Sequence, residues 1–226
     1  MNQKILAIVA AGVATTAGVA NADSVNITFD GISGNLGGTV SVSLYGGLQF
    51  GDGSSHKSIW AGQLSHTIDG QATKTYCTEL TQWAHGGVYD VVDVADAPNT
   101  GPMGQTKAEA IYRLFNATSG GSDIDSANKA EAFQAVIWEI VYDYDGTEAG
   151  ISTGSGNVRM TGLSSYWFGV FRGIAADAQG NITPTVTAYT NECYQDQLGP
   201  VSVPLPGAAA MAGVGLAGIG IRRRRG

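Results

Sequence analysis

The chain has 226 residues, a formal net charge of −7, 14% charged side chains and 33 glycines, which allows one sizeable core or at most two small ones. Its pI near 4.8 lacks the basic footprint that phosphate binding requires, so no nucleic-acid partner is expected. Only two cysteines occur, Cys77 and Cys193, which excludes a zinc ribbon or a disulfide-dense miniprotein and leaves room for a single redox or covalent event.

Residues 1–22 read as a secretory signal. A short start with Lys4 precedes an apolar run from Ile5 to Ala14 and a small-residue stretch, and Ala20-Asn21-Ala22 forms an A-x-A cleavage site. The exported chain is then expected to begin at Asp23. Val25–Phe29 and Thr39–Leu44 alternate apolar with polar residues and read as strands separated by Gly/Ser/Asp clusters. Ser58–Leu64, Thr73–Leu80 and Val88–Val94 are further strands, the last ended by the turn-forming Asp96-Ala97-Pro98-Asn99.

The period then changes. Thr106 is placed to cap a helix carrying Ala108, Ile111, Tyr112 and Phe115, with Gly120-Gly121 after it. Asp125 or Ser126 caps a second, Ala127 to about Tyr142. A third runs from Ser165 to Ala178, with Trp167, Phe171, Ile174 and Ala178 on one side. Thr185–Thr190 and a short piece near Val201 close the set. This order predicts one α+β domain over residues 23–198, a β-rich part with a helical insertion.

The C-terminal segment, 199–226, contains Val203-Pro204-Leu205-Pro206, a small or apolar stretch from Gly207 to Ile221, and Arg222-Arg223-Arg224-Arg225. The stretch is short for a stable span but suits a transient membrane anchor whose arginines stay cytoplasmic. The segment resembles the PEP-CTERM class of bacterial sorting signals in its VPLP variant. That resemblance implies recognition by an exosortase, removal of the tail, and a place on the surface or in the matrix of a Gram-negative-type cell. Without Lys4 and the four arginines, 7 basic groups face 19 acidic ones, so the exported part carries a charge near −12.

One position on the second helix breaks the pattern. At about 100° per residue, Ala127, Ala130, Ile137, Trp138 and Val141 all fall within about 60° of Gln134. Gln134 therefore lies mid-stripe, where an unpaired amide costs roughly 1–3 kcal/mol. Either it bonds to backbone inside the core, or its carboxamide is consumed by Cys77 to give an internal thioester, for which an apolar setting that excludes water is an advantage.

Tyr76-Cys77-Thr78-Glu79 and Phe133-Gln134-Ala135-Val136-Ile137-Trp138-Glu139-Ile140 resemble the two signature segments of bacterial thioester domains, and Gln195-Asp196-Gln197-Leu198 also looks like sorting-tagged members of that family. Thr78, Phe133 and Val136 depart from the usual residues, and none of the three removes a bonding atom. The resemblance implies a β-sandwich-like sheet joined to a helical part, with Cys77 as the thioester sulfur and Gln134 as the acyl donor. It implies an adhesin-like protein, not a turnover enzyme: an amine from a surface protein, a polyamine or a matrix component attacks the acyl carbon and leaves a permanent amide. His85 and Glu79 are the candidates to assist proton transfer. No cofactor or metal is expected.

Two other readings use the same cysteine. A Cys77–Cys193 disulfide would make the chain a non-covalent surface or matrix protein. A cysteine enzyme would pair Cys77 with His56, His66 or His85, but no nucleophile elbow or protease signature surrounds it. Asp143-Tyr144-Asp145-Gly146 and the run Asp90, Asp93, Asp96 lack the register of a known calcium loop. Asn26, Asn116 and Asn181 head glycosylation sequons.

Overall fold

The computed structural model describes residues 24–201. The signal segment and the Val203–Arg225 sorting motif lie outside those residues. The architecture is α+β, with one large antiparallel sheet and three α-helices.

Strand β1, Ser24–Leu44, is a single 21-residue strand where the sequence pattern predicts two. The glycines that look like a break are bulges: the register with β2 (His56–Ile68) shifts between Phe29 and Gly31 and again between Ile32 and Gly37, yet the ladder resumes each time. Gly37 pairs with Gly62 of β2, and a Cβ on Gly62 would stand 2.5 Å from the Gly37 Cα. Only two glycines permit that approach, and it lets the long strand bend without losing its partner.

Strand β3 (Gln71–Cys77) follows β2 through a tight turn, and β4 (Gly87–Val92) comes after an irregular loop. Helices α1 (Gln105–Asn116) and α2 (Ala127–Tyr142), strand β5 (Val158–Thr161) and helix α3 (Ser165–Ala176) come next, and β6 (Val186–Thr190) and β7 (Gln197–Pro200) end the described chain. β5 was not expected. It is only four residues long and acquires its strand character from pairing with residues 41–44 of β1. Thr106 lies inside α1, and Gly104 takes the cap position. Ser164 caps α3 by accepting the Trp167 N–H. Helix α3 ends two residues before Ala178, and its buried face is Phe168, Phe171 and Ala175.

The strand order is β2-β3-β7-β6-β4-β1-β5, and β1 also pairs with β2. The strands expected in a sandwich-like arrangement thus belong to one continuous sheet, which that extra pairing closes into a six-stranded ring with β5 appended. Helix α2 packs on β1 and β2 on one side and on α1 and α3 on the other. It is consequently buried along nearly its whole length, from Ala132 to Val141 without interruption. Gln134 is fully buried, as its place in the apolar stripe predicts.

Candidate functional site

Cys77 is the last residue of β3 and pairs across to Gln197 of β7. One residue on, the Thr78 N–H donates to the Asp196 carbonyl at 3.0 Å, marking Thr78–Asp196 as a hydrogen-bonded pair. Antiparallel bonds alternate, so the N–H and C=O of Cys77 face away from β7, toward the edge that β2 covers further back. The β2–β3 ladder stops at Leu64–Thr75. Two backbone groups of Cys77 are therefore left without a strand partner inside the core.

Gln134 supplies it. Its Oε1 accepts the Cys77 N–H at 2.9 Å, and its Nε2 donates to the Cys77 carbonyl at 2.8 Å. The residues beside the two partners hold the elements in place: the Tyr76 ring lies 4.6 Å from the Phe133 ring and meets Phe115 edge-on, while Phe133 meets Phe171 edge-on. The Tyr76 hydroxyl accepts from Gln63. Phe133 thus packs α2 against the end of β3 through its contact with Tyr76.

The sulfur has other neighbours. The Cys77 thiol donates to Gln195 Oε1 at 2.8 Å, and Gln197 Nε2 stands 4.0 Å from Sγ. Gln197 also donates to the Gln195 carbonyl and accepts from Thr75, whose hydroxyl in turn meets His66 Nδ1 at 2.8 Å. Three buried carboxamides, Gln134, Gln195 and Gln197, therefore surround Cys77. Burial pushes the thiol pKa up to about 12, against a smaller opposing pull from Gln197. Burial therefore disfavours the thiolate at neutral pH.

Glu79 is fully buried, and its carboxylate makes no hydrogen bond to the sulfur, whose contacts are with Gln195 and Gln197. Its carboxylate accepts from Thr81, from Thr100 and from the Asp196 N–H, while its backbone carbonyl accepts from Gln195. Burial raises its pKa. Asp196, pushed up to about 7 by burial, accepts the N–H groups of Asn99 and Asn191 and so ties the turn after β6 to its neighbour.

The structure does not bring the histidines to Cys77. His85 is exposed, bonds through Nδ1 to the Gly86 carbonyl and stacks on Tyr194 with centroids 4.4 Å apart. His56 is exposed beside Ser41 and Ser43. His66 is buried, and its pKa is lowered to about 4 by burial. The two cysteines are also kept apart: Cys77 is buried, Cys193 is exposed on the 191–196 turn, and both thiols are free. Among the described residues no cluster of His, Cys, Asp or Glu could hold a metal. Asp143 instead accepts the N–H groups of Asn157 and Val158, and Asp93 accepts from Ala95 and Tyr112.

Gln195, Gln197 and Thr75 are the site residues that sequence reasoning did not assign. The signal present was the pair of glutamines two apart in a short strand-like piece, a spacing that returns both to one face of a β-strand. Comparison with protein-family models, curated proteins and solved structures finds no match for this chain.

Proposed function

We propose that this is an exported, adhesin-like protein that forms a covalent amide link to an amine-bearing partner through an internal thioester between Cys77 and Gln134. The observation that carries the reading is the two-point contact of the Gln134 carboxamide with Cys77 itself. It holds the Gln134 carboxamide against the residue that carries the one buried thiol, across 57 residues of sequence, which supports this reading.

The chemistry balances without a cofactor. The sulfur attacks the Gln134 acyl carbon, the developing oxyanion on Oε1 stays bonded to the Cys77 N–H, and nitrogen departs as ammonia carrying the thiol proton. A backbone N–H held at that distance is the kind of donor that stabilises such charge. In the second step a neutral amine from a lysine, a polyamine or a matrix component attacks the same carbon. The carbon–sulfur bond breaks and Cys77 recovers its proton from the amine. The link is made once per molecule. Export and exosortase sorting at the cell surface rest on the two end segments, with transient anchoring by the C-terminal one.

The competing reading is that Gln134 only completes the backbone pairing of Cys77, because the same two bonds satisfy its amide. The non-reduced intact mass of the exported protein separates them. A thioester gives a chain lighter by one ammonia that gains methylamine on incubation, and a Cys77→Ala variant that does neither. A full-mass chain inert to methylamine rejects the covalent function, and a loss of two hydrogens reversed by reductant identifies a disulfide instead.

A further inference from the structure

The hydrogen on the Cys77 sulfur is directed at Gln195, while Gln134 is held by the main chain. Gln195 is itself anchored at both ends. Its Nε2 donates to the Glu79 carbonyl at 2.7 Å, and its backbone N–H donates to the Trp83 carbonyl at 3.1 Å. The turn that carries it, residues 191–196, is pinned to the loop after β3 by the Tyr194–His85 stack and by Gln82, which donates to the Glu192 carbonyl. These contacts fix the position of the Gln195 oxygen.

A thiol can rotate among three staggered positions, and a sulfur attacks through a lone pair, not through its S–H bond. Binding the S–H to Gln195 selects one rotamer and leaves the lone pairs for another carboxamide. We propose that Gln195 is a positioning residue for thioester formation: it holds the Cys77 thiol in the orientation from which sulfur attacks Gln134. This rests on the Cys77–Gln134 reading above. The bond changes are those already given: carbon–sulfur forms, carbon–nitrogen breaks, and the thiol proton leaves with ammonia. Gln195 neither gains nor loses an atom. Because Gln195 rides on the 191–196 turn, the orientation of the thiol depends on the contacts that hold that turn to the loop after β3.

Two variants test this. Gln195→Met keeps the length of the side chain and removes the acceptor oxygen; Gln195→Glu keeps an oxygen at the same reach. The full chain, kept denatured and reduced from synthesis onward so that Gln134 is still a carboxamide and Cys77 a free thiol, is refolded by dilution, and the ammonia-deficient mass is followed against time. Gln195→Met should form it about tenfold more slowly at a similar melting midpoint, and Gln195→Glu should recover most of the rate. If Gln195→Met is poorly folded, Gln195→Ser, which admits a water, gives the same comparison. A wild-type rate in the folded Met or Ser variant overturns the positioning role and leaves the thioester standing. A wild-type chain that never loses ammonia overturns both.

Discussion

The side chain of Gln134 pairs with the main chain of Cys77 as a neighbouring strand would, donor to acceptor on both edges at 2.9 and 2.8 Å. A helix thereby finishes the ladder that β2 leaves incomplete. Replacing Gln134 by Leu keeps the apolar packing and orphans two buried backbone groups, each worth roughly 1–3 kcal/mol. Chemical denaturation of Gln134→Leu should show a loss of about 2–5 kcal/mol with the overall fold retained. A loss near zero would mean that water or another group takes over the pairing.

Phe133→Ala removes the ring that joins Tyr76, Phe115 and Phe171. A cavity at this fully buried position should cost about 3–5 kcal/mol. The same variant should lower the yield of any Cys77–Gln134 product, because α2 is no longer pressed against the end of β3. Urea midpoints and intact mass report the two effects separately.

Gly62→Ala places a methyl group 2.5 Å from the Gly37 Cα and 2.5 Å from the Leu36 carbonyl, at a φ of +149°. Neither neighbour is a flexible side chain, so β1 and β2 must move apart. Overpacking of this kind costs about 1–3 kcal/mol or more. A Gly70→Ala control also has a positive φ but meets nothing within 4 Å, and it should cost less in the same melting experiment.

Stability should fall as pH rises from 7 to 9. Glu139 is fully buried and burial pushes its pKa up to about 9 from 4.5. The folded chain therefore holds a proton that the unfolded chain has released, and the difference favours folding less with each step upward in pH, by at most about 1.4 kcal/mol per unit. Below pH 6.5 the lowered pKa of His66 works in the opposite direction, so the upper window is the clean one. Glu139→Gln, which carries no charge to bury, should flatten the melting midpoint across pH 7–9. An unchanged slope in that variant would assign the effect to another group.

Native alkylation distinguishes the cysteines. Iodoacetamide should modify the exposed Cys193 rapidly and leave Cys77 untouched, since Cys77 is buried and its thiolate is disfavoured. Peptide mapping after brief labelling checks this. Equal labelling would show that the 191–196 turn opens readily.

Much of the fold is legible in the sequence because local pattern and tertiary environment agree. The amphipathic run from Ala127, the Ser126 cap position and the alternating strands all appear where periodicity places them. The exceptions have one cause. Strand β5 and the unbroken β1 owe their form to a partner far along the chain, and no local signal reports a partner. The site divides in the same way. Gln134 stands out because an amide in an apolar stripe needs an explanation, whereas Gln195 and Gln197, noted in the sequence only as part of a segment resemblance, gain their place beside Cys77 when β7 folds next to β3. His85 illustrates the converse: eight residues from Cys77 in sequence, it stacks on Tyr194 at the surface.

The order in which the chain emerges during synthesis gives the closed ring a further meaning. The groups around Cys77 lie 57, 118 and 120 residues beyond it, and the strand that carries Gln197 is the last of the seven among the described residues. Until that strand docks, the ring is open and the Gln195 and Gln197 carboxamides are not held beside the sulfur. The surroundings of the sulfur are therefore complete only in a chain that has folded through the last described strand, and a copy that stops short of Gln197 lacks two of the three carboxamides around Cys77.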